Sequence, residues 1–160
     1  MFRLGYNTNG LAHHRVLDAL RLLADLGYEG VALTPDVGGI DPLQLDPGLV
    51  ADVRRWSDDL GLELAVETGA RFVLDPRRKH YPSLLEDFQV ERQRRVDLLR
   101  RCVDLAVELG ARVVSIWAGV APRGGAGDGG EPPDEAEELW ERLRAGVLAV
   151  LEHARGSGVA

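Results

Sequence analysis

Leu109-Gly110-Ala111-Arg112-Val113-Val114-Ser115-Ile116 is one of three similar stretches that decide the fold. The two earlier copies are Leu26-Gly27-Tyr28-Glu29-Gly30-Val31-Ala32-Leu33 and Leu60-Gly61-Leu62-Glu63-Leu64-Ala65-Val66. In each copy a glycine suits the left-handed residue that closes a helix, and the apolar run after it suits a strand covered on both faces. A fourth copy begins at Gly156-Ser157-Gly158-Val159-Ala160. The repeat predicts helices that end at glycine and lead directly into strands.

Segments with helical periodicity separate these junctions. The first lies near residues 13–26, and the second begins with Asp46 as N-cap and Pro47 in its first turn. In the third, one face carries Val96, Leu99, Val103 and Ala106. We expect much of its remaining surface to be covered by Arg94, Arg95, Arg100 and Arg101. Strands that alternate with helices in this way predict a parallel sheet with right-handed crossovers.

Two architectures fit a single α/β unit over residues 1–160. One is a partial (β/α)8 TIM barrel of about four βα units, because a complete barrel needs about 250 residues. The alternative is a flavodoxin-like open parallel sheet. Both place ligands at the carboxyl ends of the strands, so the search for a site is the same for either.

Composition excludes several classes of protein. The chain has 45% apolar and 28% charged residues, which is typical of a globular domain, and its net charge of −7 argues against a nucleic-acid partner. No apolar run reaches the roughly 20 residues that cross a bilayer, and no signal peptide is evident, so we expect a cytoplasmic protein without a membrane partner. The single cysteine, Cys102, is expected to be a small core residue.

Polar and aromatic residues follow the predicted strands. Asn7 and Asn9 follow the first strand, Glu67 and Arg71 the third, and Trp117 the fourth. Amides, a carboxylate and a stacking ring suit a small polar ligand such as a sugar. Glu67 is a candidate for a divalent-cation ligand or a proton-transfer base, and the alternative is an ion pair with Arg71. The asparagines are equally typical of turns and helix caps.

The long loop after the third strand contains Arg77-Arg78-Lys79-His80. This cluster could bind a phosphate or carboxylate, or it could solvate the loop and pair with acidic groups. His80 is a candidate metal ligand or a hydrogen-bonding loop residue. Residues 125–130 satisfy G-x-G-x-x-G, but the following Glu131-Pro132-Pro133 and the nearby acidic residues favour a flexible loop over a dinucleotide site.

These residues resemble the xylose isomerase-like TIM barrels, and more narrowly the sugar phosphate isomerase/epimerase branch. The segments that carry the resemblance are 5–10, 26–31, 67–71 and 75–80. The resemblance covers nearly the whole chain, but only as the amino-terminal half of the family's barrel. The junction over residues 26–31 is only weakly specific to this family. The segment from Glu67 to His80 is more specific to this branch.

The resemblance implies a proton shift on a sugar or polyol, assisted by a divalent metal, Mn²⁺ or Mg²⁺. Glu67, Lys79 and His80 match mouth-side motif positions and are candidate catalytic residues. Candidate substrate-binding residues are Asn7, Asn9, Arg71 and Trp117. The family's main metal carboxylates come from later strands, so this chain shows no metal ligand set.

Two other interpretations remain open. One is a non-catalytic half-barrel that forms a homo-oligomer through its open sheet edges. The other is a hydrolase of the family's endonuclease branch acting on abasic DNA. The interpretation that we favour is an isomerase or epimerase half-site whose carboxy-terminal half is missing from this chain.

Overall fold

Four βα units follow one another along the chain. The computed structural model describes residues 2–69, 71–119 and 133–160, with side chains from residue 136 onward in the last range. The strands are β1 (Gly5–Asn7), β2 (Gly30–Leu33), β3 (Glu63–Glu67) and β4 (Val114–Ser115). The helices are α1 (Val16–Asp25), α2 (Pro47–Asp59), α3 (Gln89–Leu109) and α4 (Pro133–Ala154), and a 3-10 turn spans Thr8–Leu11. Residues 125–130, which carry the glycine-rich pattern, lie outside the described residues.

The strands form one parallel sheet in the order β1-β2-β3-β4. A fifth strand position begins beside β4, where the Ala160 N–H donates to the Arg112 carbonyl at 2.7 Å. The Val114 N–H in turn donates to the Ala160 carbonyl at 2.9 Å. A doubly wound sheet changes direction at a switch point, as in the order 2-1-3-4-5, whereas a barrel adds each strand beside the last. The sequential order is that of a partial barrel, and the flavodoxin-like alternative is wrong.

The glycine junctions have the predicted backbone. Gly27, Gly61 and Gly110 have φ of 84°, 67° and 73°, the left-handed values that close α1, α2 and α3. At the other end of α2, the Asp46 carboxylate accepts from the N–H groups of Gly48 and Leu49 at 2.8 and 3.3 Å. The predicted cap is therefore confirmed.

One face of the sheet is covered and the other is open. The core lies between the sheet and the helices, where Val31, Leu33 and Val66 are at most 2% exposed. Cys102 of α3 is fully buried in the same core, and burial raises the pKa of its thiol to about 12, as expected for an inert core residue. The residues that alternate with the core positions are Asn7, Ala32, Ala65 and Glu67, and they define the open face.

The prediction for Arg95 of α3 is wrong. We expected this arginine to cover the helix surface with its neighbours, but it is only 1% exposed. Arg94 and Arg101 are exposed as predicted, and Arg100 is half-buried. In the part of the chain that the structure describes, no helix is long and apolar enough to cross a membrane.

Candidate functional site at the strand ends

The ends of β1, β2 and β3 are joined through one threonine. The Thr34 hydroxyl lies 2.8 Å from Asn7 Oδ1 and 3.0 Å from Glu67 Oε2. A hydroxyl has one hydrogen, so Thr34 donates to the amide or to the carboxylate at a given moment. Asn7 Oδ1 also accepts from the Asn9 N–H at 2.7 Å, which fixes the orientation of its amide. Parallel strands thus bring together residues 60 positions apart in sequence, from Asn7 to Glu67.

The Glu67 carboxylate lies over Gly69. A Cβ added to Gly69 would be 2.9 Å from Glu67 Oε1 and 3.0 Å from Oε2. An alanine at this position would therefore displace the Glu67 carboxylate from where it lies. Glu67 was predicted at the strand end, whereas its contact with the glycine two residues later was not foreseen.

Arg71 does not pair with Glu67. Its Nη2 donates to the Asn9 main-chain oxygen at 3.0 Å and also to the Asn9 side-chain oxygen. Within the described ranges, Glu67 makes no ion pair. Arg71 and Asn9 instead tie the loop after β3 to the loop after β1, and Glu67 keeps carboxylate lone pairs for a ligand.

His80 reaches the same end of the sheet from the loop over residues 68–88. Its ring packs on Trp117 with 4.5 Å between centroids and 47° between the planes. Its φ is 63°, a left-handed conformation that is uncommon for a residue other than glycine and often marks a functional position. Its Nδ1 is buried and has no hydrogen-bond partner among the described residues.

Burial is the main reason that the pKa of His80 is lower than usual. The positive charges of Lys79 and Arg95 lower this pKa further, while the Gly69 main chain and the Glu67 carboxylate raise it. The net direction favours the neutral imidazole. A neutral ring accepts a hydrogen bond at one nitrogen and donates at the other.

Arg95 lies beneath these groups and was missed as a site residue. Its Nη2 donates to the main-chain oxygens of Thr68 and Trp117 at 2.8 and 3.1 Å. The signal was present in the sequence, because Arg95 is four residues before Leu99 and seven before Cys102, both on the buried stripe of α3. We call the group formed by Asn7, Thr34, Glu67, His80 and Trp117 the mouth.

The loop over residues 68–88 is packed against the end of β4. The Leu84 N–H donates to the Ala118 carbonyl at 3.2 Å. Gly119 has φ of 112°, and a Cβ there would be 2.2 Å from the Ser83 Cβ. This contact leaves no room for a side chain, so Gly119 lets the loop approach the strand that carries Trp117.

The basic cluster of this loop is divided. Arg78 pairs with the Asp75 carboxylate at 2.9 Å and lies over the Tyr81 ring, which fits the alternative that the cluster pairs with acidic groups. The main-chain N–H of Arg77 also donates to Asp75, at 2.8 Å. The Lys79 side chain is exposed beside His80.

A small cavity lies between the loops after β1 and β2. Its volume is about 60 Å³, and its polar lining includes Thr8, Asn9, Thr34, Asp36 and Arg71. This volume suits one or two water molecules rather than a sugar ring.

The metal expectation does not fit this chain by itself. Among the residues that the structure describes, no group of three or more His, Cys, Asp and Glu side chains could hold a metal ion. Glu67 and His80 are at most two donors. His13 and His14 are both exposed and precede α1, so they lie outside the helix in which we predicted them.

The family model described as xylose isomerase-like TIM barrel matches residues 20–160, and the chain belongs to this family. A solved D-psicose 3-epimerase, crystallised in the presence of D-fructose, is 14% identical with a TM-score of 0.69; the match covers 99% of this chain and 50% of that one. An L-ribulose 3-epimerase is 20% identical with a TM-score of 0.69, covering 100% and 48%. A xylose isomerase domain protein from Planctomyces limnophilus is 19% identical with a TM-score of 0.63, covering 99% and 52%.

The chain thus spans about half the length of these solved structures. At these identities the likeness shows the fold, which is that of a partial TIM barrel. No curated protein sequence matches the chain.

Proposed function

We propose that this chain forms the sugar-binding side of an isomerase or epimerase active site, at the mouth. The observation that carries the proposal is the convergence of Glu67, His80 and Trp117 with Asn7 at the carboxyl ends of parallel strands. In a TIM barrel these ends hold the active site. The solved epimerases of the same fold add support, since their names state sugar substrates.

Glu67 is the proton-transfer group in this proposal. A carboxylate that takes a proton from the carbon beside a sugar carbonyl leaves an enediolate. Inversion of that carbon then requires a proton delivered to the opposite face by a second acid, which the other side of the active site would supply. Glu67 suits this role because its only described side-chain partner is a neutral hydroxyl, Thr34, rather than a cation. The Thr34 hydrogen can move to Asn7 when the carboxylate takes up the substrate proton.

His80, Trp117 and Asn7 bind the sugar. The neutral His80 ring exchanges hydrogen bonds with hydroxyl groups, and the half-buried Trp117 ring offers an apolar surface to the sugar's C–H groups. The Asn7 amide adds a further polar contact, with Asn9 and Arg71 holding the loop beside it. Lys79 is positioned to attract a phosphate group if the substrate is a sugar phosphate.

A divalent metal, if the reaction uses one, needs donors beyond the described residues. We further propose that the substrate is a sugar or a sugar phosphate and that the protein is cytoplasmic.

Sugar binding is best tested by NMR, because a half-site with few contacts should bind at millimolar affinity, which corresponds to about −4 kcal/mol. Titration with D-fructose should shift the backbone amides of Asn7, Gly69 and Trp117. Glu67→Gln and Trp117→Leu should each weaken the shifts, and Gly69→Ala should do so by displacing the carboxylate. Gly38→Ala is the matched control, since its Cβ would meet no atom within 4 Å.

Two results would refute this proposal. One is an absence of shifts at sugar concentrations up to about 100 mM, where even a millimolar site is saturated. The other is a set of shifts at residues remote from the mouth that persists in Glu67→Gln.

A second candidate is self-association through the open edges of the sheet. A closed barrel has eight strands, whereas the sheet formed by the described residues has four, with exposed edges at β1 and at the strand position begun by Ala160. A second copy facing the first would cover the open face. Light scattering of the chain at high concentration should then give twice the monomer mass, and a monomer at all concentrations would exclude it.

A further inference from the structure

Arg95 is a fully buried cation without a carboxylate partner among the described residues. It is 1% exposed, and its Nε is buried with no hydrogen-bond partner there. Arginine is rarely buried to this extent unless it is paired, because removing its charge from water is unfavourable. An apolar residue would fill this core position more cheaply, so the fold by itself does not explain an arginine.

The contacts of Arg95 show where it acts. One nitrogen, Nη2, donates to the carbonyls of Thr68 and Trp117. Thr68 directly follows Glu67, the last residue of β3, and Trp117 lies two residues after Ser115, the last residue of β4. Between these two residues, the Trp117 N–H donates to the Thr68 hydroxyl oxygen at 3.1 Å, and that hydroxyl donates to the Ser115 carbonyl at 2.8 Å. The guanidinium also lies 5.9 Å from the centre of the Trp117 ring. Arg95 therefore binds together the two strand ends that carry Glu67 and Trp117.

The charge of Arg95 acts on the same groups. Burial lowers the pKa of the Arg95 guanidinium, and Cys102 and then the Glu67 carboxylate oppose this by raising it. The positive charge of Arg95 also contributes to the low pKa of His80, after burial and Lys79. A buried charge keeps such effects because water screens it poorly.

We propose that Arg95 is the positioning residue of the mouth: it fixes the ends of β3 and β4 through the carbonyls of Thr68 and Trp117 and supplies a buried positive charge beneath Glu67 and His80. The role rests on the proposed function of the mouth. Arg95 does not touch the sugar and acts through the residues that do.

The test compares three variants of the chain, all measured without sugar. Arg95→Met removes both the charge and the donors, Arg95→Lys keeps the charge but loses the planar fork, and Arg101→Met removes the same charge from the exposed side of α3. Two readouts are followed by NMR: the titration of His80, assigned with His80→Asn, and hydrogen exchange of the Trp117 amide. The Val66 amide, bonded to the Val113 carbonyl at 2.9 Å, reports on the sheet as a whole.

In Arg95→Met we expect the pKa of His80 to rise and Trp117 exchange to accelerate about tenfold or more relative to Val66. In Arg95→Lys the His80 titration should stay near that of the parent chain while Trp117 exchange still accelerates. Arg101→Met should change neither readout.

The proposal is overturned if Arg95→Met leaves both readouts as they are in Arg101→Met. If Arg95→Met does not fold, Arg95→Lys decides: equal acceleration at Trp117 and Val66 means that Arg95 serves general stability only. Neither readout requires sugar, so a chain that fails to bind D-fructose refutes the proposed function and leaves this test intact.

Discussion

The covered and open faces of the sheet differ in residue size and in chemistry. On the covered face, Val31, Leu33 and Val66 are buried against the helices. On the open face, Ala32 and Ala65 are small and half-buried, and Asn7 and Glu67 are polar. Because neighbouring residues of a strand point to opposite faces, the two sets alternate along the same short strands. A few strands thus separate the groups that stabilise the fold from those that are free to bind a ligand.

The contrast explains why the mouth contains unsatisfied polar groups. Glu67 shares one hydroxyl hydrogen with Asn7, and His80 Nδ1 has no partner among the described residues. Such groups cost stability wherever they are buried. The covered face supplies that stability through apolar burial, so the mouth can keep them.

The largest expected effect tests the two faces on one strand. Leu33→Ala should lower the free energy of unfolding by about 2–5 kcal/mol, because it leaves a cavity in the core. Ala32→Ser, one residue away on the open face, should cost less than about 0.5 kcal/mol. Urea denaturation measures both, and similar costs for the two would mean that the open face is buried in solution.

An intermediate effect concerns pH. Because the pKa of His80 is lowered from 6.5 in the folded chain, the unfolded chain takes up the proton first as the pH falls. The stability due to neutral His80 is therefore complete above pH 6.5 and is lost as the pH falls through the folded pKa. His80→Asn, which tolerates the left-handed backbone, should lose less stability than the parent chain over this range.

The measurement is a set of urea denaturation curves at several pH values for both proteins. Groups other than His80 titrate in both and cancel in the difference. The groups that act on His80 are Glu67, Lys79 and Arg95, and all three are retained. Parallel pH dependence in the two proteins would contradict the burial of a neutral His80.

The smallest effect is expected on the open face at the amino-terminal end of β3. Glu63 pairs there with Arg3, and both side chains are more than half exposed. Water and salt screen such pairs, so Glu63→Gln should leave the unfolding midpoint unchanged within error at physiological salt. A clear loss of stability, measured beside Arg55→Gln as a control for another exposed pair, would show that this end of the sheet is covered in solution.

Local patterns predicted the βα units well. The glycines at 27, 61 and 110, the Asp46 cap and the core position of Cys102 depend on residues close in sequence, and all are confirmed. The choice between barrel and open sheet depends on strand order, which joins residues far apart in the chain. Periodicity is the same for both, so the structure was needed to decide it.

The site was predicted less completely. Asn7, Asn9, Glu67, Arg71, His80 and Trp117 all lie at the strand ends or in their loops, but their partners were not foreseen. The role of Thr34 in joining Asn7 to Glu67 was not foreseen, and Arg71 bonds Asn9 rather than Glu67. Hydrogen-bond partners across strands depend on register and rotamers, which a single sequence does not specify. Catalytic roles for Glu67, Lys79 and His80 remain predictions.

The sequence by itself determined the repeating βα unit, because glycine caps and apolar periodicity act within a few residues of the chain. The tertiary structure alone decided that the strands add in sequence, that Thr34 joins Asn7 to Glu67, and that Arg95 is buried beneath them. The physical reason is the distance along the chain over which each kind of interaction acts. Backbone propensities are local, whereas burial and partner choice are settled only when distant segments pack together.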